Sequence, residues 1–515
     1  MADHSRVEPA DPIAGVGPPG SMKRALATGA GWVTTLQLAS KVLEVGFAAV
    51  LARILAPADF GVIAGATIFI QFAQLLVEIG IGATIVQLPG LTRDDLRTAG
   101  TLVVINAVGY FLLAQAFAPL AGAFLGIEGV TEVIRVLALI FLLQAFSVVP
   151  GNLLVRRLEV RRVMIANFAA RVIGTGGVGI ALAWAGWGYW ALVAATLVEI
   201  AINAVWLTVV VRPPMRPLLT RAGAKRLLRR GTGFSISRVL NFLAVRADNA
   251  LVGRTMDAAA LGYYSRAYNL MSVPADLYAR IAERLIFPAM AQVQDDLPRL
   301  RRAFLRGLEL TAVVGLPMSA LLALLAPEVI AFILGPRWAA VIAPFAVLST
   351  ASYLRLGAKI GGSLQRAKAA TGAMIANQIV YATAVIGGCL LAYPYGIVAV
   401  AGAVSLAVFV FYCVVNYNAC RLIGLDLKTF LSAQGHGALL ALACTLVAGP
   451  VALPMRAAGA PPLATLAAAG AAVAAFGLLL LWLRPRWLLG DFVLELAGDA
   501  TRVMGDKLRR RRAGA

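Results

Sequence analysis

The chain alternates long apolar runs with short polar breaks. The runs are about 20 residues long, enough for a helix to cross the hydrocarbon core, whereas barrel strands are about half that length and alternate. Polar residues inside the runs recur at steps of three, four and seven, the spacing of one helix face. The pattern predicts fourteen membrane helices, roughly over residues 28–52, 61–86, 98–119, 131–154, 163–185, 188–211, 233–253, 261–288, 304–326, 340–364, 372–393, 396–420, 432–453 and 462–483. An even number places both termini on one side.

The most charged of these runs lie within residues 233–290. In the eighth predicted helix, Arg266, Asn269, Asp276, Arg280, Glu283 and Arg284 fall on one stripe; in the seventh, Arg238, Asn241 and Asp248 share a face beside Arg246 and Asn249. Further stripes are Thr34, Gln37, Lys41 and Glu44; Thr67, Gln71, Gln74 and Glu78; Asn167, Arg171 and Thr175; and Ser352, Arg355, Lys359 and Arg366, with Glu199 inside the sixth helix. A charge at the centre of a membrane helix costs about 2.5–3.5 kcal/mol on insertion scales, so such residues face a water-filled cavity or pair with one another. Both outcomes are open here. Lys41 with Glu44 and Asp276 with Arg280 have helix-pair spacing. Arg355 and Lys359 have no acid on their own helix, and unpaired cations in a cavity suit an anionic ligand.

Composition agrees with a membrane protein. Of 515 residues 60% are hydrophobic and 14% charged, with mean hydropathy +0.83, against about 25% charged in soluble domains. A net charge of +21 is of the kind that nucleic-acid-binding proteins carry, but its distribution argues for topology instead. With the N-terminus in the cytoplasm, 31 of the 46 Lys and Arg are cytoplasmic, 4 (Arg53, Arg254, Arg337 and Arg456) lie in outer loops, and 11 lie within spans.

The four Cys (Cys389, Cys413, Cys420, Cys444) sit in apolar runs without metal spacing and read as small buried hydrophobes. His4 lies in the tail and His436 has no ligand partner near it in sequence, so no metal or other cofactor is expected. No nucleotide-binding, HExxH or GxSxG motif stands in a suitable context, which argues against ATP-driven transport and against an enzyme of those classes.

A repeat divides the chain. Leu51–Gly65 (LARILAPADFGVIAG) follows the first helix and Val252–Arg266 (VGRTMDAAALGYYSR) follows the seventh; Arg53 precedes Gly61 as Arg254 precedes Gly262. Six plus six helices is a transporter plan. The expected organisation is a disordered cytoplasmic tail without a signal peptide over 1–24, an N-lobe over 25–211, a basic cytoplasmic linker over 212–232, a C-lobe over 233–420, two extra helices over 421–484, and a basic amphipathic tail over 485–515 lying on anionic lipid. Pro274, Pro317 and Pro344 fall in or near spans, as hinges or static kinks; Tyr263, Tyr264, Tyr268 and Tyr278 suit stacking on sugar rings, while the interface depth of Tyr263 and Tyr264 favours an aromatic belt for those two.

The order and spacing of LARILAPADFGVIAG, of GYYSRAYNLMSVP in the eighth helix and of LIFPAMAQVQDD at its inner end resemble the Wzx-type oligosaccharide flippases over about residues 25–450. These belong to the polysaccharide-transporter branch of the superfamily that also holds multidrug (MATE) exporters and lipid II flippases. The resemblance implies two six-helix lobes, two extra C-terminal helices and a cationic central cavity. It also implies an undecaprenyl-diphosphate-linked oligosaccharide moved from the inner to the outer leaflet of the bacterial cytoplasmic membrane, beside the polymerase and glycosyltransferases of the pathway. Depth and face, rather than a family motif, nominate Lys41, Arg171, Arg246, Arg280, Arg355 and Lys359 as substrate-binding cations, and Glu44, Glu78, Asp248 and Asp276 as ion-coupling acids. Two competitors are a cation-coupled multidrug exporter, which needs an acidic or neutral cavity, and a membrane polymerase, ligase or glycosyltransferase, which needs a large outer loop.

Overall fold

The computed structural model describes residues 19–483 apart from 78–80, 89, 215, 222 and 227–235, and describes side chains from Thr35 onward, leaving out also 75–77, 83, 236–240, 243 and 279–285. Among these residues the regular structure is helical. Eleven helical segments are long and apolar enough to cross a membrane. The other three expected spans, 61–86, 233–253 and 261–288, each include residues outside the described set, although helices occupy all three regions.

Packing divides the chain into two compact units, Met1–Val239 with Gly253–Gly262, and Leu240–Val252 with Tyr263–Ala515. The turn between the seventh and eighth helices, Gly253–Gly262, packs within the first unit.

In the first unit, α1 (Pro19–Ile54) turns into α2 (Pro57–Val77), followed by α3 (Ile81–Gln87), α4 (Arg93–Leu125), α5 (Val130–Leu137), α6 (Leu139–Arg156), α7 (Val160–Arg171), α8 (Ile180–Trp184) and α9 (Tyr189–Val211). The helix thus starts earlier than the tail boundary at residue 24; the rest of that tail lies outside the described residues. Thr92 and Asp95 close a reciprocal capping box at the start of α4. That helix buries Ala107, Ala114, Ala118 and Ala121 and turns Leu112, Leu113, Phe117 and Leu120 outward. Small residues inward and large apolar residues outward is the arrangement of a helix packed in lipid, where close backbone approach holds helices together.

The basic linker is strapped to this unit wherever it is described. Thr101 accepts the amide of Leu218, Arg97 donates to the carbonyl of Arg216, and Arg226 pairs with the buried Asp95 at 3.2 Å.

In the second unit, α10 (Ile236–Thr255), from Leu240 to Val252, joins α11 (Ala258–Gln292), from Tyr263 onward, α12 (Leu297–Leu324), α13 (Ala326–Ile333), α14 (Ile342–Thr350), α15 (Ser352–Ala367), α16 (Thr371–Ala392), α17 (Ile397–Ile423), α18 (Leu427–Ala457) and α19 (Pro462–Leu483). Helix α11 runs unbroken through Pro274 and Pro288. The tenth expected span is instead two helices, α14 and α15, meeting at Ala351, and its polar stripe lies wholly on α15. Asp296 and Asp426 cap α12 and α18 by accepting the amides of Arg299 and Thr429. The first extra helix, α18, lies so close to α12 that a Cβ on Gly437 would meet the carbonyl of Ala312. The amphipathic tail over 485–515 lies outside the described residues.

Candidate functional site

Two clusters of polar side chains lie along the expected membrane spans, one in each unit. In the first, Arg171 at the end of α7 sits between two acids. Its Nη1 donates to Glu44 Oε2 at 2.6 Å, and its Nε and Nη2 donate to Glu199 Oε1 at 3.3 Å each. Lys41 donates to Glu44 Oε1 at 2.8 Å, and Thr175 to Glu199 Oε2 at 3.0 Å. Two cations and two carboxylates balance, as low-dielectric surroundings demand.

The sequence builds this cluster with glycine. A π-helical turn, Val172–Gly179, follows Arg171 and replaces the middle of the fifth expected span. A Cβ on Gly174 would stand 2.7 Å from the amide nitrogen of Glu199, and one on Gly176 would stand 2.6 Å from the ring of Phe47. Their absence lets α9 and α1 approach until Glu199 and Glu44 reach Arg171.

In the second unit, Arg355 on α15 donates from Nη1 to Tyr268 Oη at 2.7 Å, and its guanidinium lies 4.9 Å from the Tyr268 ring centroid. Its Nε and Nη2 are shut from solvent and meet no acceptor among the described residues. Asp248, 1% exposed, accepts from Tyr264 Oη at 2.8 Å and from the backbone and side-chain nitrogens of Asn249 at 2.7 and 3.0 Å. No ion pair joins Asp248 and Arg355 among the described residues; each is held by a tyrosine instead. One turn along α15, Lys359 is exposed, and its ammonium makes no hydrogen bond or ion pair among the described residues.

The candidate cations therefore divide. Lys41 and Arg171 are held by Glu44 and Glu199. Arg355 keeps one edge of its guanidinium unused, and Lys359 and the half-buried Arg246 have no acidic partner among the described residues. The side chain of Arg280 and all of Glu78 lie outside the described residues. Of the remaining candidate acids, Glu44 is bound to two cations and Asp248 to neutral donors, while the half-buried Asp276 has no partner among the described residues.

Sequence periodicity missed several partners because they lie on other helices. Arg456, assigned to an outer loop, forks onto the buried Glu328 of α13 at 2.7 and 2.9 Å. Tyr264 is not a belt residue: it is buried and holds Asp248, as the buried Tyr268 holds Arg355. Tyr263 packs edge-on against Trp338, and Tyr278 donates to Thr311. Cys413 is exposed, unlike the other three Cys, and His436 Nδ1 lies 3.9 Å from Glu309.

Comparison with known proteins adds the following. Residues 50–343 match the model of a family described as "Polysaccharide biosynthesis protein". The chain is 26% identical over 317 residues to the succinoglycan biosynthesis transport protein ExoT of Rhizobium meliloti (strain 1021), covering 60% of this chain and 62% of that protein. It is 25% identical over 371 residues to the lipopolysaccharide biosynthesis protein WzxC of Escherichia coli (strain K12), covering 68% and 71%. It is 24% identical over 353 residues to the teichuronic acid biosynthesis protein TuaB of Bacillus subtilis (strain 168), covering 68% and 72%. Among solved structures, it superposes on the lipid II flippase MurJ in an inward closed conformation with TM-score 0.63 at 10% identity, covering 80% of this chain and 92% of that one. It superposes on an inward-facing MATE-family multidrug transporter of the MOP superfamily with TM-score 0.61 at 16% identity, covering 76% and 98%. At these identities the structures establish a shared multi-pass helical fold.

Proposed function

This chain belongs to the polysaccharide biosynthesis protein family, and from that premise we propose that it is a flippase rather than an enzyme, moving an undecaprenyl-diphosphate-linked oligosaccharide from the inner to the outer leaflet of the cytoplasmic membrane by alternating access. Both termini are cytoplasmic, and the glycosyltransferases and polymerase of the pathway supply and consume the substrate. The basic excess serves topology, so nucleic acid is not a partner.

The single observation that carries the reading is Arg355. Its Nε–Nη2 edge, the side of a guanidinium that grips two oxygens of one phosphate, is buried without an acceptor among the described residues, on a helix with no carboxylate, so it meets a phosphate only when the unit opens during transport. Lys359, four residues on and exposed, supplies a second positive charge, and Arg246 a third within the same unit. A diphosphate headgroup cannot cross hydrocarbon unaided, because desolvating an ion is prohibitive. A cationic path removes that cost, and the inside-negative potential favours outward movement of each negative charge by roughly 2.3 kcal/mol per 100 mV. A multidrug exporter for cationic compounds is disfavoured by the same unpaired Arg and Lys.

Arg355→Ala and Lys359→Ala are expected to abolish export of lipid-linked glycan while leaving folded protein in the membrane, and Arg355→Lys, lacking the fork, to be partly active. Normal surface polysaccharide in a strain whose sole copy lacks both side chains overturns the proposal. Misfolding of Arg355→Ala that is cured by adding Asp248→Asn would make Arg355 a structural counter-charge instead.

A further inference from the structure

In the first unit, α6, α7 and α9 enclose a cavity of about 270 Å³. It is lined by Gln144 and Ser147 from α6, Asn167 from α7, and Glu199 and Asn203 from α9. Val148 and Ile200 add apolar patches. Glu199 is shared with the Arg171 cluster, and none of the five belongs to the Arg355 site. We propose that this cavity is a binding site for one neutral sugar ring.

Charge decides the ligand class first. Glu199 is the one charged residue in the lining, and Arg171 and Thr175 already hold both its oxygens. With that carboxylate neutralised by Arg171, the lining offers an anion no positive charge and a metal or alkali cation no free carboxylate. What remains is an uncharged polar ligand.

Hydrogen bonding narrows the class further. Asn203 donates from Nδ2 to Asn167 Oδ1. This fixes the orientation of both amides and leaves the Nδ2 donors of Asn167 and the Oδ1 acceptor of Asn203 without another hydrogen bond among the described residues. Ser147 donates to the carbonyl of Gln144, so its oxygen keeps its lone pairs, and the Gln144 amide makes no hydrogen bond among the described residues. Adjacent amide donors and acceptors match vicinal hydroxyls, each of which donates once and accepts twice. The Val148 and Ile200 patches suit the C–H groups of a ring. The volume lies near the lower end of small-molecule sites, roughly 300 Å³, and suits a single ring rather than a chain. Asn167 is exposed, so the cavity is reachable, and so polar a surface facing hydrocarbon would be costly.

The inference rests on the flippase reading for its biological sense, in that the site would hold one sugar of the carried glycan and so select among glycans, but its test does not need transport. Full-length protein in lipid nanodiscs, with the four Cys replaced by Ala and Ser147→Cys introduced, is labelled with a maleimide. Glucose, galactose, mannose, N-acetylglucosamine and N-acetylgalactosamine are added singly at about 100 mM. For a dissociation constant on the order of 10 mM, mass action slows labelling roughly tenfold with at least one of them. Adding Asn203→Leu or Gln144→Leu is expected to abolish protection while leaving the yield of folded protein unchanged. The proposal is overturned if no sugar protects, if inorganic phosphate or sodium chloride protects as well as sugar, if protection survives both Leu variants, or if the thiol cannot be labelled at all. Sugar protection alongside normal export in the Arg355 and Lys359 variants would leave this site standing and remove the diphosphate reading.

Discussion

The backbone nitrogen of Gly61 lies 3.2 Å from where a Cβ on Gly262 would stand. That Cβ would also strike the carbonyl oxygen of Pro57, just as one on Gly61 would strike the carbonyl oxygen of Ala258. Pro57 and Gly61 open α2 as Ala258 and Gly262 open α11, so the contact is reciprocal, as a local two-fold axis requires. The weak repeat in the sequence marks the place where two helix-opening turns press backbone against backbone.

Alanine at either glycine is therefore expected to destabilise. Helix propensity alone favours Ala over Gly by about 1 kcal/mol. Here the obstacle is backbone that cannot swing aside, and overpacking of this kind costs about 1–3 kcal/mol or more. Gly46, with nothing near its missing Cβ, is the control. In thermal unfolding of detergent-purified protein, Gly61→Ala and Gly262→Ala should lower the midpoint, while Gly46→Ala should hold or raise it. Equal midpoints for all three would refute the crossing.

The cluster around Arg171 predicts strong coupling. Arg171→Leu leaves Glu44 and Glu199 without their shared cation. Breaking a buried pair costs about 3–5 kcal/mol, and the side chains here are 26–42% exposed, so the loss should fall at or below the lower end of that range. Adding Glu44→Gln and Glu199→Gln should recover most of it. A triple variant no more stable than Arg171→Leu would show that the carboxylates do not depend on Arg171.

Arg456 and Glu328 form a second test of buried pairing. Glu328 is 4% exposed, and Arg456 also donates to the carbonyl of Leu324. Arg456→Ala should cost about 3 kcal/mol or more, and Glu328→Gln added to it should restore part, because the stranded charge is then gone. Urea or thermal unfolding of the single and double variants measures the coupling. Additive effects would mean that the fork contributes little.

Orientation is testable at the linker. The positive-inside bias puts residue 221 in the cytoplasm. In a Cys-free background, Arg221→Cys should resist an impermeant maleimide applied to intact cells and react after the membrane is opened. Labelling from outside would invert the topology.

Much of the architecture was legible in the chain itself. Hydrocarbon accepts little besides apolar helices of about 20 residues, so run length and apolar content already identified a polytopic helical protein. Periodicity identified faces in the same way: Lys41 with Glu44 shares a turn, and the pair forms at 2.8 Å. The repeat located the matching glycines because a backbone crossing leaves no room for any other residue.

Partners on other helices were decided only by tertiary structure. Arg171 has no acid on its own helix, and neither has Arg355; yet α1 and α9 bring Glu44 and Glu199 to Arg171, whereas among the described residues α11 brings Tyr268 and no acid to Arg355. Arg456 looked like a loop cation until α13 placed Glu328 beside it. A helical period reports the direction in which a side chain leaves its own axis and carries no information about which neighbouring axis it meets. Which cations remain available for an anion therefore follows from how the helices pack.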